Sequence, residues 1–276
     1  MMQIFSTARP DINMTLKTKR FRVEQLPKVT PETKWRTEAM RSYEQPMLIW
    51  FTRGQGRITI AGVTHGFGPH NAVFLPAGTM HGYEMLGHVQ GSTVFFPKDS
   101  TLTLPDAPVH FRFRDVYQQA ELTRLIDNLS RELETDQPGQ DRALLAHAGL
   151  LSVWLDREMV EENLHDLQQD AAHRLASAFS SMVERDFRTG RSIHDYAAHL
   201  GVTPTHLTRS CNIACGRSAS SLLSDRVHFE ARKLLRDTRK PIKDIAQSLG
   251  FSSAAYFTRA FQKHTGQTPS GFRKSP

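Results

Sequence analysis

One stretch of this chain is written twice. Ile193-His194-Asp195-Tyr196-Ala197 with Leu200-Gly201 returns as Ile242-Lys243-Asp244-Ile245-Ala246 with Leu249-Gly250. After a shift of one residue, His206-Leu207-Thr208-Arg209 returns as Tyr256-Phe257-Thr258-Arg259, and Gly216 to Ser220 as Gly266 to Ser270. A duplicated unit of this length has to form the same supersecondary structure twice, and this constrains residues 171–276 more than composition does. Each copy reads as a helix, a tight turn and a second helix. Ser192 precedes a short amphipathic helix with Asp195 at its third position, and Gly201 stands where a left-handed residue closes it. Thr203 and Pro204 then open the next helix. Leu207 and Cys211, four apart, face inward, leaving Thr205, His206, Thr208, Arg209 and Asn212 outward. In the second copy Phe257 and Phe261 face inward, and Ala254, Ala255, Tyr256, Thr258, Arg259 and Gln262 face outward. Residues 225–235 predict a strong helix ending near Thr238, a spacer between the copies.

Charge divides along the chain as the repeat does. Residues 1–170 hold 18 Lys and Arg against 21 Asp and Glu, a net of −3, whereas residues 171–276 hold 17 against 7, a net of +10. Positive charge gathered on one part of a chain suits a polyanion, because each neutralised phosphate releases a counterion. An outward helix face of small, hydroxyl and arginine residues fits the major groove, where Arg bonds the guanine edge and Thr reaches a base or phosphate. Arg209 and Arg259 are the expected direct readers. A hydrophobic content of 39% and a charged content of 23% describe an ordinary soluble globular protein. No apolar run approaches the ~20 residues that cross a bilayer, and the first twenty residues lack the pattern of a secretion signal. No membrane partner and a cytoplasmic location are therefore expected. Cys211 and Cys215, four apart on a helix, are badly placed for a mutual disulfide.

The first half follows another pattern. Met47–Thr52, Arg57–Ile60, Ala72–Pro76, Gly82–Leu86 and Val89–Phe96 read as short strands separated by turn signals such as Arg53-Gly54-Gln55-Gly56 and Ala77-Gly78, which suggests a sandwich or small barrel. From Asp115 the period becomes helical. Leu122, Leu125, Ile126, Leu129 and Leu133 form one stripe, Asp136-Gln137-Pro138-Gly139 breaks it, and Leu144, Leu145, Ala148, Leu151 and Leu155 form a second. Two antiparallel helices are expected, available for intradomain packing or for a dimer interface. The acidic stretch Asp156–Asp170 reads as a junction.

Residues from about 190 to 273 resemble the DNA-binding domain of the AraC/XylS family of bacterial transcription regulators. The likeness is carried by Glu230-Ala231-Arg232-Lys233-Leu234-Leu235, by Ile242 to Ala246 and Leu249-Gly250-Phe251, by Tyr256 to Phe261, and by Gly266 to Arg273. It implies DNA contacts from Thr205, Thr208 and Arg209 in the first recognition helix and from Ala255, Thr258 and Arg259 in the second, with His206 and Tyr256 beside them. The departure is Cys211, where the family often places a large aromatic, so the second copy is expected to be the better formed. Residues 53–83, with Gly62, Gly68-Pro69-His70-Asn71 and Leu75 to His81, resemble a cupin barrel, which commonly precedes this DNA-binding domain. A barrel of that size holds one small ligand, and Trp50, Phe74, His81, Tyr83 and Phe95 are the candidate pocket residues.

The fold expected is multidomain α+β. Residues 1–114 form a cupin-like ligand-sensing barrel with an N-terminal arm, residues 115–170 a helical dimerisation pair and linker, and residues 171–276 an all-α tandem helix-turn-helix domain. The expected partners are double-stranded promoter DNA, a small-molecule effector and a second copy in a homodimer, with RNA polymerase added if the protein activates. No catalysis and no cofactor are expected. His65, His70, His81 and His88 raise the alternative of a metal-dependent cupin enzyme, but residues 50–57 lack the His-x-His pair such enzymes carry, so no metal is expected. A second alternative is a DNA-binding protein that needs no effector. Cys211, on the core face, reads as a small hydrophobe rather than a redox sensor.

Overall fold

The computed structural model describes residues 20–162 and 170–274. Residues 1–19, on which the expected lack of a leader rested, lie outside the described residues, as do residues 163–169 of the expected junction. The first half is a six-stranded antiparallel sheet of β1 (Arg22–Gln25), β2 (Met47–Ile60), β3 (Val63–Phe67), β4 (Asn71–Leu75), β5 (His81–Phe95) and β6 (Val109–Arg112), in the order β1-β5-β2-β4-β6 with β3 against β2. A short helix, α1 (Trp35–Glu38), precedes β2.

Four of the expected short strands are really two long ones. The register of β2 against β5 shifts between Phe51 and Arg53 and again between Arg53 and Gln55. Gly54 sits there with φ +85°, and a Cβ on it would come within 2.5 Å of the His88 carbonyl oxygen. The Arg53–Gly56 turn signal is thus a β-bulge that bends a continuous strand instead of ending it. The bend turns one half of β2 toward β4 and the other toward β3, while β5 follows along the whole length. The short strands β1, β3 and β6 lack the alternation that marked the others.

Alternate residues of β2 serve two apolar clusters, as a pleated strand requires. Ile49, Phe51 and Ile58 join Phe67, Val73, Tyr83 and Phe95 on a face that the sheet folds over. Leu48 and Trp50 join Phe74, Val94 and Phe111 on the other, which α2 (Val116–Glu134) and α3 (Gln140–Glu162) cover with Leu122, Ile126, Leu129, Leu144, Ala148, Leu151 and Leu155. Both leucine stripes are used in this packing except at Leu145, which is exposed.

The C-terminal part is helical: α4 (Ala171–Asp186), α5 (Ile193–His199), α6 (Pro204–Cys215), α7 (Ala219–Asp237), α8 (Ile242–Ser248), α9 (Ala254–Thr265) and α10 (Pro269–Lys274). Phe179, Tyr196, Leu207, Cys211, Leu222, Ile245, Phe257 and Phe261 form its core. That cluster also takes in Met40, Val63 and Met80 from the first half. Trp35 of α1 packs between Phe229 of α7 and Phe272 of α10, at ring distances of 5.8 and 5.9 Å. The sheet and the helical part therefore share one apolar seam.

Burial drives the pKa values of His81 and His110 down to about 3 and that of His228 down to about 4, with nearby arginines adding to the effect on the first two and His264 on the third. These rings stay neutral in the folded protein at pH values where an ordinary histidine is protonated. Below about pH 6.5 the unfolded chain binds more protons than the folded one, so stability is lost as pH falls toward about 4. Urea midpoints measured at about pH 7.5 and about pH 5 should show this decline; equal midpoints would mean that the rings are charged in the fold.

Candidate nucleic-acid interface and the cleft behind it

The two copies superimpose in their hydrogen bonds as well as their sequence. Val202 N–H donates to Ala197 O and Phe251 N–H to Ala246 O, both at 3.0 Å, and Gly201 and Gly250 close the turns with φ of +69° and +77°. Thr203 Oγ1 accepts from His206 N–H, and Ser253 Oγ accepts from Tyr256 N–H, each at 3.1 Å, which fixes the start of α6 and of α9. Gly216 and Gly266, both left-handed, end these helices. Ser192 and Asp195 complete a reciprocal capping box on α5, whereas Pro241 gives α8 no side-chain cap. Packing aromatics favour the second copy and capping favours the first.

With Leu207 and Cys211 buried on one side, Thr205, His206 and Arg209 stand exposed on the other side of α6, and Thr208 is half-buried. On α9, Phe257 and Phe261 are fully buried while Ala255, Tyr256 and Arg259 are exposed. Thr258 is half-buried, and its hydroxyl donates to Ala254 O at 2.9 Å, a local bond that competes with contacts outside the helix. The described N-terminal residues meet this part from the other side, where α6 packs against β3. Neither cysteine is in a disulfide. Burial pushes the Cys211 thiol up to about 12 and raises that of Cys215, so neither has the low pKa of a reactive thiol.

The five residues expected to line one pocket are divided by the sheet. Trp50 and Phe74 face α2 and α3, and Trp50 Nε1–H donates to Thr123 Oγ1 at 3.3 Å. Tyr83 and Phe95 face the folded-over side, where Phe51 and Phe67 stack at 3.9 Å and Phe51 meets Tyr83 edge-on. The reason is parity: residues 50 and 83 fall on opposite pleats of paired strands. His81 lies beside Tyr43, with ring centroids 5.8 Å apart. Its Nδ1 is 2.9 Å from Thr79 O and its Nε2 is buried without a partner.

A cavity of about 340 Å³ lies between the sheet and the helical part, and of the five expected pocket residues Tyr83 alone lines it. Arg57, Thr59, Thr64 and Glu84 line it from the sheet, and Cys215 and Arg217, at the end of α6, close it from the other side. Sequence reasoning missed Arg217. The available signal was a difference between the copies, since Gln267 occupies the matching place in the second. No group of His, Cys, Asp and Glu that could hold a metal occurs among the described residues. None of their helices is long and apolar enough to cross a membrane.

An antiparallel ligand-binding sheet joined to a tandem helix-turn-helix defines an effector-responsive transcription regulator, and comparison with known proteins agrees. Residues 42–152 match the model of the AraC-like ligand binding domain, and residues 196–275 match that of a helix-turn-helix domain. The arabinose operon regulatory protein of Salmonella typhimurium is 29% identical over 236 residues, covering 80% of each chain. Its namesake from Escherichia coli is 30% identical over 117 residues, 42% of this chain and 39% of that protein. A crystal structure of ToxT from Vibrio cholerae aligns over 92% of this chain and 96% of its own at 14% identity, with a TM-score of 0.44. The chain belongs to the AraC/XylS family of transcription regulators.

The turn of the second copy is held by direct backbone contact with the loop before the first. A Cβ on Gly250 would collide with the Gly190 backbone and lie 2.7 Å from Arg188 O, and both glycines have positive φ. Gly250→Ala therefore combines a left-handed backbone penalty with a collision and should cost about 1–3 kcal/mol. Thermal unfolding measures this, with Gly201→Ala, which meets no atom within 4 Å, losing less.

Proposed function

We propose that the protein binds promoter DNA by placing α6 and α9 in successive major-groove segments, and that a small molecule held by its N-terminal part alters that binding. The observation that carries this reading is the pair of identically capped, outward helix faces, exposed together and backed by one continuous core. Thr205, His206, Thr208 and Arg209 form one face, and Ala255, Tyr256, Thr258 and Arg259 the other. Arg209 and Arg259 supply bidentate contacts to guanine, while Ala255 and Tyr256 offer apolar surface to thymine methyls. The helical part's surplus of positive charge adds the non-specific attraction to phosphate. In this reading the protein works in the cytoplasm, by binding rather than catalysis, touches RNA polymerase where it activates, and divides at about residues 114 and 170.

The protein acts as a homodimer through the free face of α3. Leu150, Val153 and Val160 lie there at 58%, 44% and 72% exposure, spaced to form one stripe. The opposite face of the same helix is committed to the sheet, so this stripe is available for a partner copy. Leu150→Glu with Val153→Glu should shift the protein to a monomer in sedimentation while leaving its melting temperature nearly unchanged.

DNA selected in vitro with the full chain, followed by footprinting, tests the main reading. Arg209→Ala and Arg259→Ala should each relax specificity at a separate half-site, about one helical turn apart, at a cost of about 1–3 kcal/mol. Unchanged protection with both arginines removed would sink the assignment.

A further inference from the structure

We propose that the effector binds in the cleft between the sheet and the end of α6, that it is a small net-neutral polar molecule, and that Arg217 reports its presence to both recognition helices. This rests on the effector-responsive reading above and gives it a site and a ligand chemistry.

The ligand class follows from the balance of charge. Arg57 and Arg217 bring two guanidinium groups to the cleft and Glu38 and Glu84 two carboxylates. Each guanidinium is already paired, Arg57 with Glu84 at 2.7 Å and Arg217 with Asp225 at 2.5 Å. A lone anion entering here meets Glu38 and Glu84, and a lone cation meets the arginines. Either one is brought beside a like charge. A molecule with both donors and acceptors gains from both, and the Thr59 and Thr64 hydroxyls, 2.7 Å apart, add two more adaptable partners. Monosaccharides and zwitterionic amino acids share this chemistry. The volume, at the small end for ligand pockets, suits either.

The coupling follows from where Arg217 points. It comes directly after Gly216, the residue that ends α6, and its guanidinium donates to Ser221 Oγ at 3.1 Å and to Asp225 on α7. The other oxygen of Asp225 is 3.4 Å from His264 Nε2, in the last turn of α9. The His264 ring in turn stacks on His228 of α7 at 4.2 Å. One carboxylate on the spacer helix thus joins the ends of both recognition helices, and the cleft opens onto the arginine that holds it. A ligand that draws the guanidinium toward the cleft loosens its hold on Asp225 and changes the seating of α9.

Cys215 lines the cleft and provides a handle that needs no identified effector. A methanethiosulfonate forms a mixed disulfide with the thiolate and releases methanesulfinate. The 2-hydroxyethyl, 2-sulfonatoethyl and 2-(trimethylammonio)ethyl reagents differ mainly in charge. Applied to the full chain, with rates divided by those on free cysteine and Cys215→Ser as the site control, the neutral reagent should label several-fold faster than both charged ones. Labelling should also change hydrogen exchange in residues 254–265 at least threefold. In Asp225→Asn, Cys215 should still be labelled but the change at 254–265 should be absent. Equal or faster labelling by a charged reagent overturns the ligand class, failure to label Cys215 even at about pH 9, where its raised thiol begins to ionise, overturns the site, and labelling without a response at 254–265 overturns the coupling. Thermal-shift hits among monosaccharides or among neutral amino acids, lost in Arg57→Met, identify which chemistry is used; hits confined to carboxylic acids or polyamines count against both. Labelling requires no DNA, so its failure is separable from failure of the Arg209 and Arg259 footprints.

Discussion

A guanidinium withdrawn from water must be surrounded by its own counter-charges, and Arg226 meets this requirement at the centre of the molecule. Its side chain is 4% exposed, bonded to Glu184 at 2.6 and 2.9 Å and to Glu230 at 3.1 Å, and it lies 3.8 Å over the Phe187 ring. The two acids come from α4 and α7, so the ion cluster fastens the first helix of the DNA-binding part to the spacer. Glu184 also accepts from the Ser42 hydroxyl at 2.6 Å, just before β2 begins. The orientation of the sheet is thereby tied to charges that cannot be parted cheaply, since removing one partner of a buried pair costs about 3–5 kcal/mol. The contacts of Trp35, Met40, Val63 and Met80 are arranged around that joint.

The helical part was legible because its signals are local. The caps at Ser192, Thr203 and Ser253, the left-handed glycines at 201, 216, 250 and 266 and the four-residue spacing of Leu207 with Cys211 and of Phe257 with Phe261 act within a few residues of themselves. The sheet was less legible because its decisive features are pairings between distant residues. Gly54 reads as a turn until the His88 backbone is known to lie against it, and then it is a bulge. Trp50 and Phe74 read as pocket residues until the register of β2 with β5 and β4 places them on the helix-facing side. Arg226 and Glu184 stand 42 positions apart, and nothing near either marks them as partners.

Duplication fixed the shape of the two reading units, and their different neighbours made them unequal. The first lies against β3, with a close approach of the turn at Gly62 to the carbonyl of Ala176 on α4. The second meets the N-terminal half through α1, where Trp35 touches Phe272 and the Arg232 guanidinium lies 5.0 Å over the indole. Burial lowers the Arg232 pKa to about 10, and the ring face offers the cation a partner that needs no carboxylate.

These two supports enter the helical part at different places, one from the turn and strand that follow β2 and the other from the short segment that leads into it. A displacement of the segment before β2 acts on α6 through the cleft and on α7 and α10 through Trp35, so the seating of the two units together depends on where the sheet sits. The direct packing of Gly190 on Gly250 resists independent movement of the copies, because neither backbone can be pushed into the other. Two helix-turn-helix units held rigidly against each other on the sheet can be reoriented together without either unit unfolding. The polar joint from Arg217 through Asp225 to His264 begins in the open cleft, whereas the ion cluster around Arg226 is buried and the aromatic contacts of Trp35 are covered by α7 and α10.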